Sequence, residues 1–356
     1  MAFFGVTEEI VKTSVPHPNA DRLDITMLEG MSFQFVTGRD EYKPGDRVLY
    51  FPLDSVLPQE LLKKLGLEGK LAGKEKNRVR TVRLRGEISQ GLVGPLSLID
   101  PMEMGGGPGP MGYHPEELTY ALGVTKYEPP AVLVKGATLL ALPCGMHVYD
   151  IDGADRFQEA AERLMDVPVC ITEKLEGTNY SNTYDVSNKQ HYVNQHRYTI
   201  KPEEGTTHYF WDVAKKQGLL DLAELVAARD PEIKVVTLFG EMVGPGIQKN
   251  IYNLKEHEIR LFDIQIDGRY LNFNPYWLIA NEQLTVPVLA ENVTLREWLN
   301  GRTIQEASNG KSKLASKVRR EGIVITPMVE MPDPELPHGR LILKQRSPEY
   351  LARGKD

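Results

Sequence analysis

One stretch constrains the fold more than any other. Residues 101–110 read PMEMGGGPGP, in which seven of ten residues are glycine or proline. Proline fixes φ and lacks an amide donor, and glycine loses the most entropy on ordering, so neither a helix nor a central strand runs through such a segment. The chain therefore divides, and 356 residues suffice for two domains. Residues 1–100 read as one domain, 101–150 as a connector and 151–356 as a second domain. Inside the connector, Pro115 to Leu122 carries a short helical signal ended by Gly123, and Glu128-Pro129-Pro130 makes a second stiff break. No internal repeat is found.

Composition narrows the class. With 41% hydrophobic and 26% charged residues the chain reads as a soluble globular protein rather than a disordered one. Its net charge, 42 − 49 = −7, argues against binding nucleic acid through bulk charge and leaves local basic grooves open. Cys144 and Cys170 are too few for a disulfide framework or a four-thiolate zinc site. Cys170 lies in an apolar run and reads as a core residue, not a nucleophile. None of the eight histidines pairs with another at H-x-x-x-H spacing beside a glutamate, so a zinc hydrolase has little support. No apolar run approaches the ~18–20 residues of a membrane span, and the N-terminus lacks a basic segment followed by an apolar one. The expectation is a cytoplasmic, reduced protein with no membrane partner.

The first domain is strand-rich. LDITML (23–28), SFQFVTG (32–38), DRVLYFPL (46–53) and VRTVRLRG (79–86) carry β-branched and aromatic residues between turn residues, and one helix is expected over 58–65. Short strands at such spacing predict a small barrel. The run His17-Pro18-Asn19-Ala20-Asp21-Arg22-Leu23 resembles the opening of OB-fold modules that bind tRNA. From Lys70 to Arg85 seven basic residues stand against one acid, Glu75. On a barrel face such a row, with Arg80, Arg83 and Arg85 at its end, follows a phosphate backbone. A solvated hairpin whose charges protect an edge explains it equally well.

The second domain mixes both element types. Helices are expected over 154–164 and 209–228, with short ones at 295–298 and 315–319. Strands are expected over 167–174, 235–244, 259–266, 322–328 and 340–346. Lys174 ends the first of these strands and is followed by Leu175-Glu176-Gly177. A lysine at a strand terminus becomes a nucleophile only when neutral, and at a free pKa of ~10.4 few molecules are. Burial or a nearby cation lowers that pKa. A Lys-x-x-Gly string is common, and by itself a surface lysine before a turn is the plainer reading.

The ordered series after it is not common. Arg197 comes on a polar strand, then GEMVGPGIQKNIY (240–252), LFDI (261–264), EGIVI (321–325) and LKQR (343–346). With EKLEGTNY (173–180), the series resembles the nucleotidyltransferase motifs of the covalent ATP-dependent RNA ligases. The OB-like module before that domain, joined by LGVTKYEPP (122–130), is similar to the RNA ligases that carry an N-terminal OB module. The resemblance implies an α+β fold: an OB-like β-barrel followed by an antiparallel-sheet adenylyltransferase domain of the ATP-grasp-like ligase type. It implies ATP as cosubstrate, AMP carried covalently on Lys174, and Mg²⁺ or Mn²⁺. The partner implied is RNA, a nicked duplex with an RNA 3′-OH strand, and no obligate protein partner is evident.

Roles follow residue by residue. Lys174 matches the nucleophile, and Lys344 and Arg346 match the cations of the last motif, with Arg346 in place of an expected lysine. Glu173, Gly177, Arg197, Glu241 and Phe262 match nucleotide-contacting positions, although Phe262 reads equally as a core side chain. Arg197 is preceded by His196, bulkier than the pattern expects. Glu176 and Glu321 match carboxylates that hold a divalent cation through its waters. The basic run 311–320, which includes Arg319 and Arg320, reads as a solvated helix or as part of the RNA groove. MPDPELP (331–337) reads as an exposed loop. Two other functions remain: a non-catalytic RNA- or tRNA-binding protein with an inactive transferase fold, and a GTP-using capping-type transferase.

Overall fold

The computed structural model describes residues 4–99, 113–127, 136–143, 145–273 and 284–351. The Gly/Pro stretch at 101–110, the Glu128-Pro129-Pro130 break and Cys144 lie outside these residues. The chain forms two compact units. One takes in the described residues up to 127 with 155–159 and Leu351, and the other 136–154 and 160–350.

In the first unit, β1 (Thr7–Pro16), β2 (Leu23–Leu28), β3 (Gln34–Gly38) and β4 (Arg47–Phe51) are followed by β5 (Ser55–Val56) and α1 (Gln59–Lys64). The hairpin β6 (Val82–Leu84) and β7 (Glu87–Ser89) precedes β8 (Leu92–Pro95), α2 (Pro115–Ala121) and β9 (Thr125–Lys126). The main sheet is antiparallel, in the order β3-β2-β1-β4-β8. Strand β1 has no clean alternation and escapes sequence reading, because it serves two neighbours. Residues 7–10 pair with β4 and 11–16 with β2, with a register shift between Val11 and Thr13. Such a bulge sharpens the twist and curls the sheet. Inside the curl, Phe33, Phe35 and Tyr50 meet at centroid distances of 5.3–5.9 Å.

A second core cluster joins Leu49, Phe51 and Leu57 to Leu61 and Leu62 of α1 and to Leu118 and Leu122. Leu118 and Leu122, four apart, place one stripe of α2 in that core. Residues 113–127, read as connector in the sequence, thus contribute to the packing of the first unit. The strand expected over 79–86 shrinks to β6, because Val79 is buried in the same cluster while Val82 and Leu84 are exposed.

The second unit begins with β10 (Ala137–Ala141), β11 (Asp152–Gly153) and α3 (Gln158–Arg163), the last shorter than expected. Then come β12 (Pro168–Lys174), β13 (Thr178–Asp185), β14 (Gln190–Gln195), β15 (Tyr198–Pro202), α4 (Tyr209–Lys216), α5 (Leu219–Ala227), β16 (Val235–Val243) and β17 (Glu258–Ile266). The unit ends with β18 (Arg269–Tyr270), β19 (Val288–Thr294), α6 (Leu295–Leu299), α7 (Ile304–Ser308), β20 (Gly322–Pro327), β21 (Leu343–Arg346) and α8 (Pro348–Leu351). They build a seven-stranded sheet, β10-β15-β14-β13-β16-β17-β18, and a five-stranded one, β11-β21-β20-β12-β19. All pairings are antiparallel except β11 with β21.

The helix expected over 209–228 is two, because the chain turns at Gly218 (φ +69°). Both pack Phe210, Val213, Leu219, Ala223 and Val226 against Tyr180, Val193, Val236 and Leu238. Each large apolar side chain so buried contributes about 1.5–3 kcal/mol. The other sheet face is polar, with Thr183 and Thr237 hydroxyls 3.0 Å apart and Asn194 Nδ2 donating to Ser181 Oγ at 3.1 Å.

No helix forms at 315–319. Lys311 bridges to Arg319 and the Ser312 amide donates to Val318 O, closing a compact loop. The loop at 331–337 is anchored rather than wholly exposed, since Asp333 and Leu336 are buried and Arg163 pairs with Asp333. Cys170 is fully buried in β12, and burial pushes its thiol pKa up, which removes it as a nucleophile. Among the described residues no helix is long and apolar enough to cross a membrane.

Candidate active site

Strand pairing brings the distant motifs together. In the β12–β20 register Lys174 stands opposite Gly322, so the preceding Glu321 reaches the lysine, and Lys174 Nζ donates to Glu321 Oε1 at 2.7 Å. In the β20–β21 register Val324 stands opposite Lys344 and Gly322 opposite Arg346. Strand β13 pairs with β16 so that Asn179 faces Glu241. Gly177 makes this approach possible: a Cβ there would lie 2.4 Å from Met242 O and 2.7 Å from Glu241 Cγ.

These strands line one pocket. Lys174, Asn179, Glu241 and Lys344 supply its polar wall, and Phe262, Val286, Val324 and Ile342 its apolar wall, with Tyr149 and Asp150 at one side. Thus Lys174, Glu241, Phe262 and Lys344, separated by up to 170 residues (344 − 174), line one pocket, as does Glu173. An apolar wall beside convergent charges suits an aromatic base carrying an anion.

Burial raises the Glu241 carboxyl to about 8, opposed by Lys174 and reinforced by the Glu321 carboxylate. A carboxyl raised above its unfolded value favours the folded state below that unfolded value and loses this advantage as pH climbs through the raised one. Chelator-treated protein is therefore expected to lose thermal stability as pH rises from about 4.5 to 8. The Glu241→Gln protein should show a flatter Tm–pH profile over that window, and identical profiles would contradict the assignment.

The remaining candidates divide. Glu173 is buried; its Oε2 accepts the Lys313 amide at 2.8 Å, while Oε1 has no hydrogen-bond partner. Burial raises its pKa, with Ser312 and Lys313 pulling the other way. Glu176 is clamped: Oε1 accepts the Lys249 amide at 3.3 Å, Oε2 accepts Tyr350 Oη at 2.6 Å, and its own amide donates to Tyr252 Oη at 2.7 Å. Arg346 shares a β21 face with Lys344 by the two-residue period.

Arg197 sits in the exposed two-residue turn between β14 and β15, not on a strand as expected. His196 before it adopts φ +49°, which the hairpin turn demands. The turn abuts the start of β13, where Gln195 Nε2 donates to Thr178 Oγ1 at 3.3 Å.

The basic run at 311–320 has largely structural partners. The Arg320 guanidinium donates to the carbonyls of Ala307, Ser308 and Asn309 at 2.6–3.0 Å, satisfying the end of α7. Arg319 pairs with Glu349, and Lys313 Nζ donates to Val288 O at 2.6 Å. In the first unit Arg80, Arg83 and Arg85 are exposed on or beside the β6–β7 hairpin, whereas Arg78 binds Asp54 and stacks on Tyr127. The His17 run has a definite task there: His17 Nε2 lies 3.1 Å from Leu84 O and Asn19 Nδ2 donates to Arg85 O at 3.1 Å, tying the hairpin down.

Comparison with known proteins is decisive. A family model described as RNA ligase matches residues 167–345, half of the chain. The chain belongs to the RNA ligase family. A second model, described as an OB-fold domain, matches residues 6–96 of this RNA ligase. The search of curated proteins returned no match. Among solved structures, Naegleria gruberi RNA ligase with PPi aligns at a TM-score of 0.79 and 23% identity, covering 99% of each chain. A mutant of that protein with AMP and Mn aligns at 0.77 and 23%, covering 98% of each, and another with ATP and Mn at 0.75 and 23%, covering 99% of each. The likeness is one of fold: an N-terminal OB barrel followed by the curled antiparallel sheets of a ligase domain.

Sequence reasoning missed three partners of the candidate residues in this RNA ligase: Tyr149, Asp150 and Tyr350. Tyr149 packs 4.8 Å from Phe262 and donates to Asp263 Oδ2 at 2.8 Å, and Arg340 donates to the same oxygen at 2.9 Å. Asp150 accepts from Lys344 Nζ at 2.6 Å. Tyr350 reaches Glu176 from the far end of the chain. None lies in a periodic segment, so no local pattern signals it; only the parallel β11–β21 pair and the C-terminal helix bring them in.

Proposed function

We propose that this RNA ligase seals RNA 3′-OH/5′-phosphate breaks with ATP through a lysyl-AMP intermediate, and that it acts in cytoplasmic RNA repair on nicked duplexes whose 3′-OH strand is RNA. The observation that carries the reading is the convergence of Lys174, Glu241 and Lys344 at one pocket with an aromatic wall, with Glu321 hydrogen-bonded to the pocket lysine Lys174. An inactive transferase domain has no reason to keep all four.

Lys174 Nζ, as a free amine, attacks the α-phosphorus of ATP. A P–N bond forms as the bond to the β-phosphate oxygen breaks, and pyrophosphate leaves. Glu321 Oε1, 2.7 Å from Nζ, stands ready to take the ammonium proton. Lys344 and Arg346 offset the charge that builds on the leaving group, and such fixed cations act strongly in a water-poor site. The base lies against Phe262, with the unpartnered Oε1 of Glu173 as an acceptor for an exocyclic amine. Glu241 faces the ribose, and Arg197 stands at the rim for phosphate. AMP then passes to the RNA 5′-phosphate, the 3′-hydroxyl attacks that phosphate, and AMP departs.

Glu176 and Glu321 fit a hard divalent cation: the donors are carboxylates only, and among the described residues no cluster of three His, Cys, Asp or Glu forms a closed cage. Mg²⁺ or Mn²⁺ keeping most of its waters suits such a set, and when bound it neutralises phosphate charge and favours the free amine of Lys174.

The test uses labelled ATP or GTP with Mg²⁺ and a denaturing gel. Label retained from ATP supports the reading. Label from GTP alone would assign a capping-type transferase, and RNA binding with no adduct at any Mg²⁺ or Mn²⁺ concentration would assign a non-catalytic protein.

The first unit serves as the RNA-binding module in this proposal, through its basic hairpin. Neutralising Arg80, Arg83 and Arg85 together should weaken nick sealing and lower its log–log salt slope by roughly 2–3, at about 0.9 for each phosphate no longer neutralised. Self-adenylylation should be spared. An equal fall in self-adenylylation would make the row structural.

A further inference from the structure

The phosphate-facing lysine carries a counter-ion of its own. Lys344 Nζ donates to Asp150 Oδ1 at 2.6 Å, and both side chains line the nucleotide pocket. Asp150 comes from the segment before β11, whose parallel pairing sets Asp152 beside Leu343 and Gly153 beside Lys344. Its carboxylate is placed by the backbone as well, since Oδ1 accepts the Ile151 amide at 2.9 Å. The other oxygen faces His338 Nε2 at 3.7 Å, and His338 is itself held by its backbone amide, which donates to Asp152 Oδ2 at 3.2 Å. Burial pushes the Asp150 carboxyl up, but Lys344, Ile151 and His338 outweigh it, and the group is held below the usual carboxylate range.

A permanent anion in a pocket for a polyanion is costly unless it has a task. Resting on the proposed ATP-dependent reading, we infer that Asp150 competes with the nucleotide phosphates for Lys344 and thereby promotes release of pyrophosphate. The Lys344–Asp150 pair is partly exposed, with side chains 29% and 42% accessible, so it is a weak ion pair. A triphosphate with several negative oxygens displaces Asp150 easily. Once the α–β bond has broken, the leaving pyrophosphate is no longer tethered to the base and ribose. The carboxylate, already fixed by the Ile151 amide, then recaptures Lys344 and adds its own repulsion. The same geometry permits the opposite role, in which Asp150 holds Lys344 in place for the phosphates. The two roles predict changes of opposite sign.

The measurements are pyrophosphate binding by calorimetry and pyrophosphate inhibition of self-adenylylation, on the full chain. Asparagine keeps the shape and the acceptor for Lys344 and the Ile151 amide while removing the charge. Asp150→Asn should bind pyrophosphate about fivefold more tightly, the equivalent of an exposed ion pair, and be inhibited at correspondingly lower concentration. Asp150→Ala should shift binding in the same direction, which guards against an effect peculiar to the amide. Unchanged or weaker pyrophosphate binding in a folded Asp150→Asn protein would overturn the inference. Lys344→Ala separates the two levels: if removing that lysine leaves pyrophosphate binding unaltered, the assignment of Lys344 to the phosphates fails first.

Discussion

Replacing Lys174 with alanine or arginine is expected to abolish both the covalent nucleotide and the sealing of ordinary nicks, each by at least about 10⁴-fold, while leaving the fold intact. In the proposed mechanism Lys174 is the nucleophile: of the two described lysines that line the pocket it is the one paired to Glu321, whereas Lys344 is paired to Asp150. Alanine removes the amine. Arginine keeps the charge but stays protonated at any working pH, so it cannot attack. Both substitutions are sterically mild, because the side chain is partly exposed at a strand end. The decisive measurement is sealing of a nick whose 5′ end already carries AMP. That reaction bypasses the lysine, so the variants should retain most of the wild-type rate there. Equal loss on both substrates would mean that Lys174 acts in structure or in RNA binding.

A methyl group at Gly322 is expected to be the next most damaging change, for a purely geometric reason. A Cβ built there lies 2.1 Å from Gln345 O and 2.8 Å from Arg346 Cα, both backbone atoms of the neighbouring strand. No rotamer relieves that clash, so β20 and β21 must separate. Overpacking of this kind costs typically 1–3 kcal/mol, and here the yielding element is a strand ladder. Glu321 precedes the glycine and Lys344 and Arg346 lie on the strand that must move. A displacement of about 1 Å at reacting groups costs roughly 10²-fold in rate. Gly322→Ala should therefore lower Tm and slow both self-adenylylation and sealing by about two orders of magnitude. A wild-type rate with wild-type Tm would show that the strand spacing does not govern the site.

The strands that carry the motifs were legible because each is a short apolar run bounded by turn residues, and β12, β16, β17, β20 and β21 lie within a few residues of expectation. Strand β1 was not, since its pairing changes partner half-way and no single alternation describes it. The helix expected at 315–319 failed for a different reason. Its basic residues, Lys317 and Arg319, are good helix formers, but Arg319 binds Glu349 and the Ser312 amide donates to Val318 O instead, so tertiary partners outweigh local propensity.

Family and domain order are written in the sequence, because motif order along a chain survives whatever the fold does with it; the same motifs supply Lys174, Glu241, Phe262, Glu321 and Lys344 as the proposed set. The opening Gly/Pro stretch announces that the chain divides but does not say where packing stops, and residues beyond it still complete the first unit's core. Only the tertiary structure decided which basic residues have other uses. Arg78, Arg319 and Arg320 are bound to partners distant in sequence, whereas Arg80, Arg83 and Arg85 stay exposed on a hairpin that His17 and Asn19 tie down, Arg83 donating only to Gly86 O within that hairpin. It also decided that Asp150 meets Lys344 across 194 positions. Charge is a property of each residue, but its pairing depends on what strand register brings within hydrogen-bond reach, and no local pattern encodes that.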